Sequence, residues 1–179
     1  IISNEEYDLN DFKVKIIEDP YCYRWGRKNG PKVGIILYKS LLQCNDIELF
    51  DQLLTLFKEA NLTPRIITVS SLTNKKLLGK VIKILEKEKV QAVVTGTSFS
   101  TATANEGIGI MNPWDMLDVP ILQMLISSNS KKVWKESSAG LNTIDLTLQI
   151  VLPELDGKII TRPVGFREEI KVNHSLSTK

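Results

Sequence analysis

Histidine and cysteine are almost missing from this 179-residue chain, which has one histidine, His174, and two cysteines, Cys22 and Cys44. The two cysteines are far apart and have no CxxC partner, so a closed Cys/His zinc site is excluded. A lone histidine near the C-terminus also argues against a nucleophile paired with an imidazole base, and Cys44 reads as a small packing residue. Both thiols suit a reducing compartment. Long apolar runs are lacking: none approaches the ~18 residues of a membrane span. Ile1-Ile2 passes at once into acidic Glu5-Glu6-Tyr7-Asp8, unlike a secretory signal, so the expected location is the cytoplasm. Neither sign of charge dominates, since 23 Lys+Arg against 21 Asp+Glu leave a net +2. Strong sequence-independent attraction to nucleic acid is therefore not expected. Lys75, Lys76, Lys80, Lys83, Lys87 and Lys89 fall on a stretch with helical apolar spacing and read as a solvated face. Phosphate-cradling glycines are missing as well. The segment Lys39-Ser-Leu-Leu-Gln-Cys-Asn45 has neither GxGxxG nor GxxxxGK[ST], nor the Ser/Thr/Gly density of a flavin phosphate loop.

What is present is a strand–helix rhythm. Residues 1–31 lack clean periodicity and read as a lead-in segment. Lys32–Tyr38 is an apolar run of the kind buried on both faces of a parallel sheet. Asn45 with Glu48 resembles a capping box ahead of Phe50, Leu53, Leu54 and Phe57, which follow helical spacing. Arg65–Ser70 is a second strand, and Thr73 or Asn74 caps a helix carrying Leu77, Leu78, Val81, Ile82 and Leu85. Val90–Thr95 and Val119–Ser127 are further strands. The order predicts βαβ units: an α/β domain over 32–168 on an open, mostly parallel, doubly wound (flavodoxin-like) sheet of about five strands, with 169–179 as a tail.

Between the third and fourth strands, Gly96–Asp118 breaks the rhythm, and loops this long are usually functional. Ser130 caps a helix through Trp134 that stops at Gly140, and Thr143 starts another that ends before Pro153. Ile144, Leu146, Leu148 and Ile150 also alternate as a strand would, but the cap and Asp145 favour helix. Lys158–Phe166 is extended, with Pro163 keeping it from the sheet centre. Two helices in succession predict that the first runs down and the second back up. Glu154 is then expected on the rim shared by Phe99 and Ser127–Asn129, with the fifth strand antiparallel or crossing the sheet end.

Pro153-Glu-Leu-Asp-Gly157 sets two carboxylates two residues apart, and its residue types fit a helix stop and turn. Together with Asp118-Val-Pro-Ile-Leu-Gln123, Val133-Trp-Lys-Glu-Ser-Ser-Ala-Gly-Leu141, Gly157-Lys-Ile-Ile-Thr161 and Phe166-Arg-Glu168, this block resembles the large subunit of the ATP-dependent cobaltochelatase and magnesium chelatase family. Thr97-Ser-Phe-Ser100 is similar to that family's Phe-Ser loop. The resemblance covers about residues 32–168, and Gly-Lys-Ile-Ile-Thr looks closer to the cobaltochelatase branch.

The resemblance implies insertion of a divalent metal, cobalt or magnesium, into a tetrapyrrole held by the large subunit. Separate AAA+ ATPase and integrin-like subunits use ATP and Mg, and this domain binds no cofactor of its own. It also implies that the chain is part of a longer subunit, inactive alone and in contact with the remaining domains. Metal insertion must strip water from a cation and remove two pyrrole protons, which suits a carboxylate as transient metal ligand or base. Glu154 is the residue expected there, with Asp156 as turn or supporting structure near the substrate. Arg162 would meet a peripheral carboxylate of the macrocycle, and Phe99 and Trp114 would offer apolar faces, though simple core packing is the more ordinary reading of each aromatic. The other readings are a docking domain of the same subunit without substrate contact, and a stand-alone flavodoxin-like module for a small ligand. With no phosphate loop, the chain alone is expected to show no ATP hydrolysis above buffer. Turnover abolished by a point substitution within the chain would overturn this.

Overall fold

In a computed structural model, residues 19–24, 30–40, 47–98, 100–101, 103–105, 109–138 and 140–167 are described. The main sheet holds β1 (Tyr21–Arg24), β2 (Lys32–Tyr38), β3 (Thr63–Val69), β4 (Ala92–Thr95), β7 (Ile121–Ser127) and β8 (Ile159–Phe166), in the order β1-β3-β2-β4-β7-β8. β5 (Thr103–Asn105) and β6 (Gly109–Met111) pair as a separate antiparallel hairpin. β2, β3, β4, β7 and β8 are mutually parallel. Counted in chain order their spatial sequence is 2-1-3-4-5, the flavodoxin-like doubly wound arrangement.

The helices follow from apolar spacing and caps. α1 (Ile47–Glu59) covers one side of the sheet, where Leu54 joins Ile35, Leu37, Ile66 and Met124. α2 (Lys75–Glu88) covers the other, setting Leu78, Val81, Ile82 and Leu85 against Ile36, Ile67 and Val93. Full burial of each of these α2 side chains stabilises by about 1.5–3 kcal/mol. Asn74 caps α2, its Oδ1 accepting from the N–H groups of Lys76 and Leu77. The helix approaches so closely that a Cβ on Gly34 of β2 would stand 2.4 Å from Leu85 Cδ2. The lysines of α2 lie on its outer, exposed side, as the spacing indicated.

Beyond β4 the break in rhythm resolves into the β5–β6 hairpin and a 3₁₀ turn, Pro113–Leu117, capped by Asn112. After β7 come α3 (Lys131–Glu136) and then α4 (Thr143–Leu146), which continues through a π segment (Thr147–Val151) into α5 (Leu152–Leu155). The cap of α4 is Asn142, whose side chain accepts from Asp145 N–H, rather than Thr143.

Four expectations change. The sheet has six strands, because Tyr21–Arg24, placed by sequence in the lead-in segment, pairs antiparallel with β3. α3 ends at Glu136 rather than Gly140 and spans only about 9 Å at 1.5 Å per residue. It stays near the carboxyl end of the sheet, where Trp134 meets Phe166 at 5.3 Å between ring centroids. The helix from Thr143 then makes the descent, and β8 emerges parallel to β7 rather than antiparallel. Asn45 of the capping box and the 169–179 tail lie outside the described residues.

One charged cluster ties β1, β3 and α2 together. Glu88, at the end of α2, accepts from Arg24 Nε at 2.7 Å and Arg65 Nε at 2.8 Å, and its main-chain carbonyl accepts from Lys32 Nζ. Burial pushes the Glu88 carboxyl up, but the two guanidinium groups outweigh it and hold the group below its ordinary value. Replacing Glu88 by Gln leaves Arg65 buried without its counter-charge and is expected to cost about 3 kcal/mol. Arg24→Ala should cost under about 1 kcal/mol, since the Arg24 side chain is 55% exposed. Urea unfolding of the two variants checks the contrast.

Candidate functional site at the Pro153–Gly157 turn

The Pro-Glu-Leu-Asp-Gly segment ends a helix and starts a strand. Pro153 lies just after the π segment, inside the continuous helix, and has no N–H to donate to the preceding turn. Its carbonyl accepts from the N–H groups of Asp156 and Lys158, and the Glu154 carbonyl accepts from Gly157 N–H. Gly157 sits at φ +67°, the left-handed conformation that closes a helix and favours glycine.

Asp156 turns inward from this stop and is 2% exposed. Its Oδ1 accepts from Ser100 Oγ at 2.6 Å and Thr101 N–H at 2.8 Å. Oδ2 accepts from Thr101 N–H and Oγ1 and faces Lys158 Nζ at 3.0 Å. The Asp156 carbonyl accepts from Asn112 Nδ2 at 2.6 Å, while Asn112 Oδ1 caps the 3₁₀ turn through Trp114 N–H. One residue thus joins the loop after β4, the 3₁₀ turn and the start of β8. Burial pushes the Asp156 carboxyl up, but the bonds from Ser100 and Thr101 and the Lys158 ammonium prevail, so it lies below its ordinary value. Lys158 is lowered because burial removes more than the carboxylate returns. The Asp156 oxygens also accept from the neutral Ser100 and Thr101 donors, which suits a carboxylate facing an ammonium. Trp114 packs below, with Lys158 Nζ 5.6 Å from its ring centroid.

Beside this knot lies an open cleft of about 550 Å³, lined by Asn112, Trp114, Asp115, Asp118, Asp156 and Ile159 among others. That volume is within the usual range of ligand clefts. A smaller cleft of about 450 Å³ lies at the carboxyl ends of β2 and β3, between Tyr38, Ser40, Ser70, Ser71 and Thr73. The larger one opens at the other edge of the sheet, near the first residue of β7.

The residues singled out by sequence are placed as follows. Glu154 is exposed on the last turn of α5 and is not among the residues lining the cleft. Trp114 is 3% exposed, part of the core beneath α2 and a wall of the cleft at once. Asp156 is buried at the cleft wall, its carboxylate turned to Ser100, Thr101 and Lys158. Arg162 is exposed on β8. Phe99, like Cys44 and His174, lies outside the described residues, but its neighbours are placed: the Ser98 carbonyl accepts from Tyr38 Oη, and Ser100 donates to Asp156.

The expected rim shared with Ser127–Asn129 is overturned. Leu122 pairs with Ile159 and Ser127 with Phe166, so Pro153–Gly157 lies at the amino-terminal edge of the sheet, opposite the turn after β7. The two edges are about 20 Å apart for strands of this length. The loop after β4 nevertheless reaches the turn, because it crosses the sheet: Gln123 Nε2 donates to the Thr97 carbonyl, and Thr101 meets Asp156. Ser100 and Lys158 stand within the quoted motifs but carry no assigned role in the sequence, and Asn112 and Thr101 are not marked by it at all. A lysine directly after a turn glycine and before an apolar strand was the one local signal for Lys158. Among the described residues no three His, Cys, Asp or Glu side chains converge as a cation site, and no helix is long and apolar enough to cross a membrane.

The geometry defines an α/β domain of flavodoxin-like topology with a cleft at the amino-terminal edge of its sheet, outside the carboxyl-end crevice where such sheets usually bind ligands. Its family is more particular. Residues 7–179 match the CobN/Magnesium Chelatase family, and the chain belongs to it. It is 31% identical over 137 residues to the aerobic cobaltochelatase subunit CobN of Pseudomonas aeruginosa, covering 76% of this chain and 11% of that protein. It is also 31% identical over 154 residues to an uncharacterised protein of Methanocaldococcus jannaschii, covering 79% of this chain and 12% of the relative. The chain thus spans about a ninth of the length of these curated relatives. The fold is shared with the catalytic subunit of cobaltochelatase from Mycobacterium tuberculosis, at a TM-score of 0.69 and 22% identity over 84% of this chain and 14% of that one.

Asp156→Ala is expected to destabilise the chain by about 3 kcal/mol or more, because Lys158 is left buried and charged, while Glu154→Ala stays within about 0.5 kcal/mol. The Asp156 contribution is present in full above the ordinary carboxyl value of 3.8 and is lost as pH falls through the lower folded value. Denaturant unfolding between neutral and acidic pH should therefore fall less steeply in Asp156→Asn than in the parent.

Proposed function

We propose that this chain is part of the large subunit of a metal chelatase, one that inserts a divalent metal, cobalt in preference to magnesium, into a tetrapyrrole. Family membership and the CobN relatives support the reaction class. The observation that carries the site is an exposed carboxylate, Glu154, on a turn that the buried Asp156 knot holds rigid. A carboxylate on fixed backbone has the chemistry metal insertion needs: it replaces water on the incoming cation and accepts a pyrrole proton. Trp114 forms an apolar wall, Arg162 is an exposed partner for a peripheral carboxylate of the macrocycle, and the loop with Phe99 is tethered to the same turn through Ser100. Asp156 serves as a positioning residue.

In this reading the domain carries no resident cofactor. ATP and Mg are handled by separate AAA+ and integrin-like subunits, the metal arrives as substrate, and the assembly works in the cytoplasm. A cleft of this openness holds only part of a macrocycle, so further domains of the large subunit complete it and the chain alone binds a tetrapyrrole weakly. A docking role without substrate contact is the second reading, favoured by the distance of Glu154 from the carboxyl-end loops of the sheet.

Glu154→Gln in the assembled chelatase distinguishes them. Loss of the ligand and base is expected to lower the insertion rate about 100-fold, with macrocycle affinity nearly unchanged. Parental turnover would remove Glu154 from the chemistry and leave the docking reading. Steady-state insertion assays and porphyrin fluorescence quenching supply the two numbers.

A further inference from the structure

The outer side of α2 breaks the local rules for a stable helix in four places. Lys75 and Lys76 occupy its first turn, with no acidic residue beside them, where the helix dipole repels cations. Lys76, Lys80, Lys83 and Lys87, spaced i, i+4, i+7, i+11, form one exposed stripe of like charge, and neighbours at that spacing repel. Gly79 stands beside the stripe, one turn from Lys75, Lys76 and Lys83, in a helix interior where only proline is less favoured than glycine. Lys89 closes the helix at φ +55°, a left-handed position that glycine usually fills. Among the described residues no carboxylate pairs with any of these lysines.

Solvation accounts for the exposure of the lysines but not for these departures. Packing does not explain Gly79 either, since a Cβ there would meet no atom within 4 Å. Elsewhere in the helix local choice and fold agree: Asn74 caps it, and Leu78, Val81, Ile82 and Leu85 are buried. Departures confined to one surface mark a place where the helix serves something outside the domain. Three of them keep positive charge along about 20 Å of helix, and the fourth keeps a gap through which another backbone can approach.

The occupant follows from charge and from what the face lacks. Nucleic acid is disfavoured: the chain carries only +2 overall, and α2 has no arginine to fork onto phosphate and no aromatic ring to stack on a base. A membrane surface is disfavoured because the apolar side of α2 is already packed in the core, leaving nothing to enter the acyl boundary. Carboxylates carried along a polypeptide complement a row of lysine ammonium groups, which are point charges on flexible stems.

We propose that the outer face of α2 is a docking site for a carboxylate-rich segment of a separate protein, which lies along Lys76, Lys80, Lys83 and Lys87 and closes on the helix at Gly79. The contact is electrostatic and weakens as salt is added. It depends on α2 alone and stands whether or not the chain serves in metal insertion.

Fluorescence anisotropy with a labelled peptide of alternating glutamate and aspartate tests it, on the full natural polypeptide that carries this chain. Lys80→Glu with Lys83→Glu is expected to weaken binding about tenfold or more. Lys132→Glu with Lys135→Glu, the same charge change on α3, should leave it within about twofold of the parent. Gly79→Gln adds no charge and raises helix propensity. The amides of α2 should then exchange with deuterium no faster than in the parent, while peptide binding falls about fivefold because the approach is closed. Unchanged binding by Gly79→Gln, or equal loss in the two charge-reversed pairs, would overturn the proposal. Failure of the parent to bind the peptide at low salt would also overturn it. So would tighter binding of a single-stranded RNA or of phosphatidylserine vesicles, lost in Lys80→Glu with Lys83→Glu, which would assign the face to that ligand instead.

Discussion

Much of the molecule's shape beyond β4 follows from the cost of burying one carboxylate. Asp156 is removed from water beside Lys158, and such a charge persists only where its lone pairs meet donors and its counter-ion is near. Those donors come from residues 55 and 56 positions earlier, Thr101 and Ser100. The loop after β4 must therefore return across the sheet, and Gln123 holds it on the way through the Thr97 carbonyl. Asn112 closes the arrangement by bonding the Asp156 carbonyl while capping the 3₁₀ turn that presents Trp114. One wall of the larger cleft and the first residue of β8 are set by that single residue.

At the other flank of the sheet Glu88 plays a comparable part with Arg24 and Arg65. Between these charged anchors the interior is aliphatic, with α1 and α2 on opposite sides of the strands. The division of labour is physical. Non-directional burial supplies the bulk of the stabilisation but tolerates many registers, whereas an ion pair with fixed hydrogen bonds admits one. Glu154, two residues before Asp156, stands on the turn closed by the Gly157 N–H bond to its own carbonyl.

Sequence reading was strongest where one element settles its own fate. Lys32–Tyr38, buried along most of its length, and α2, with its Asn74 cap and four-residue apolar face, are determined by their own side chains and were legible as such. β1 was not, because a four-residue strand at a sheet edge owes its state to β3 and Glu88 rather than to its own pattern. The direction of β8 was misjudged for a similar reason. It depends on how far α3 travels, and six residues do not cross a sheet. The alternation of Ile144, Leu146, Leu148 and Ile150 resembled a strand because that helix is not amphipathic in the usual sense. Of the site, Pro153–Gly157 was recognisable as a turn from its own residues, but Asn112, Ser100 and Thr101 are joined to it only by contacts over 44 to 56 positions, which no local pattern contains.

The placement of the first and last strands has a mechanical consequence. Tyr21 pairs with Thr68 and Phe166 with Ser127, so both outer ends lie on the carboxyl-terminal rim. They stand five strand spacings apart, about 24 Å. Sheet twist turns one flank relative to the other by roughly 100°. A tension drawn through the backbone at these two points would act on the rim ends of β1 and β8 and peel each from its neighbour. The ladder would open like a zip, one hydrogen bond after another, instead of resisting in shear along its whole length. The flanks are the compliant part of the domain, and the Glu88 guanidinium pair and the Asp156 knot, both towards the opposite rim, are the last fastenings to be reached.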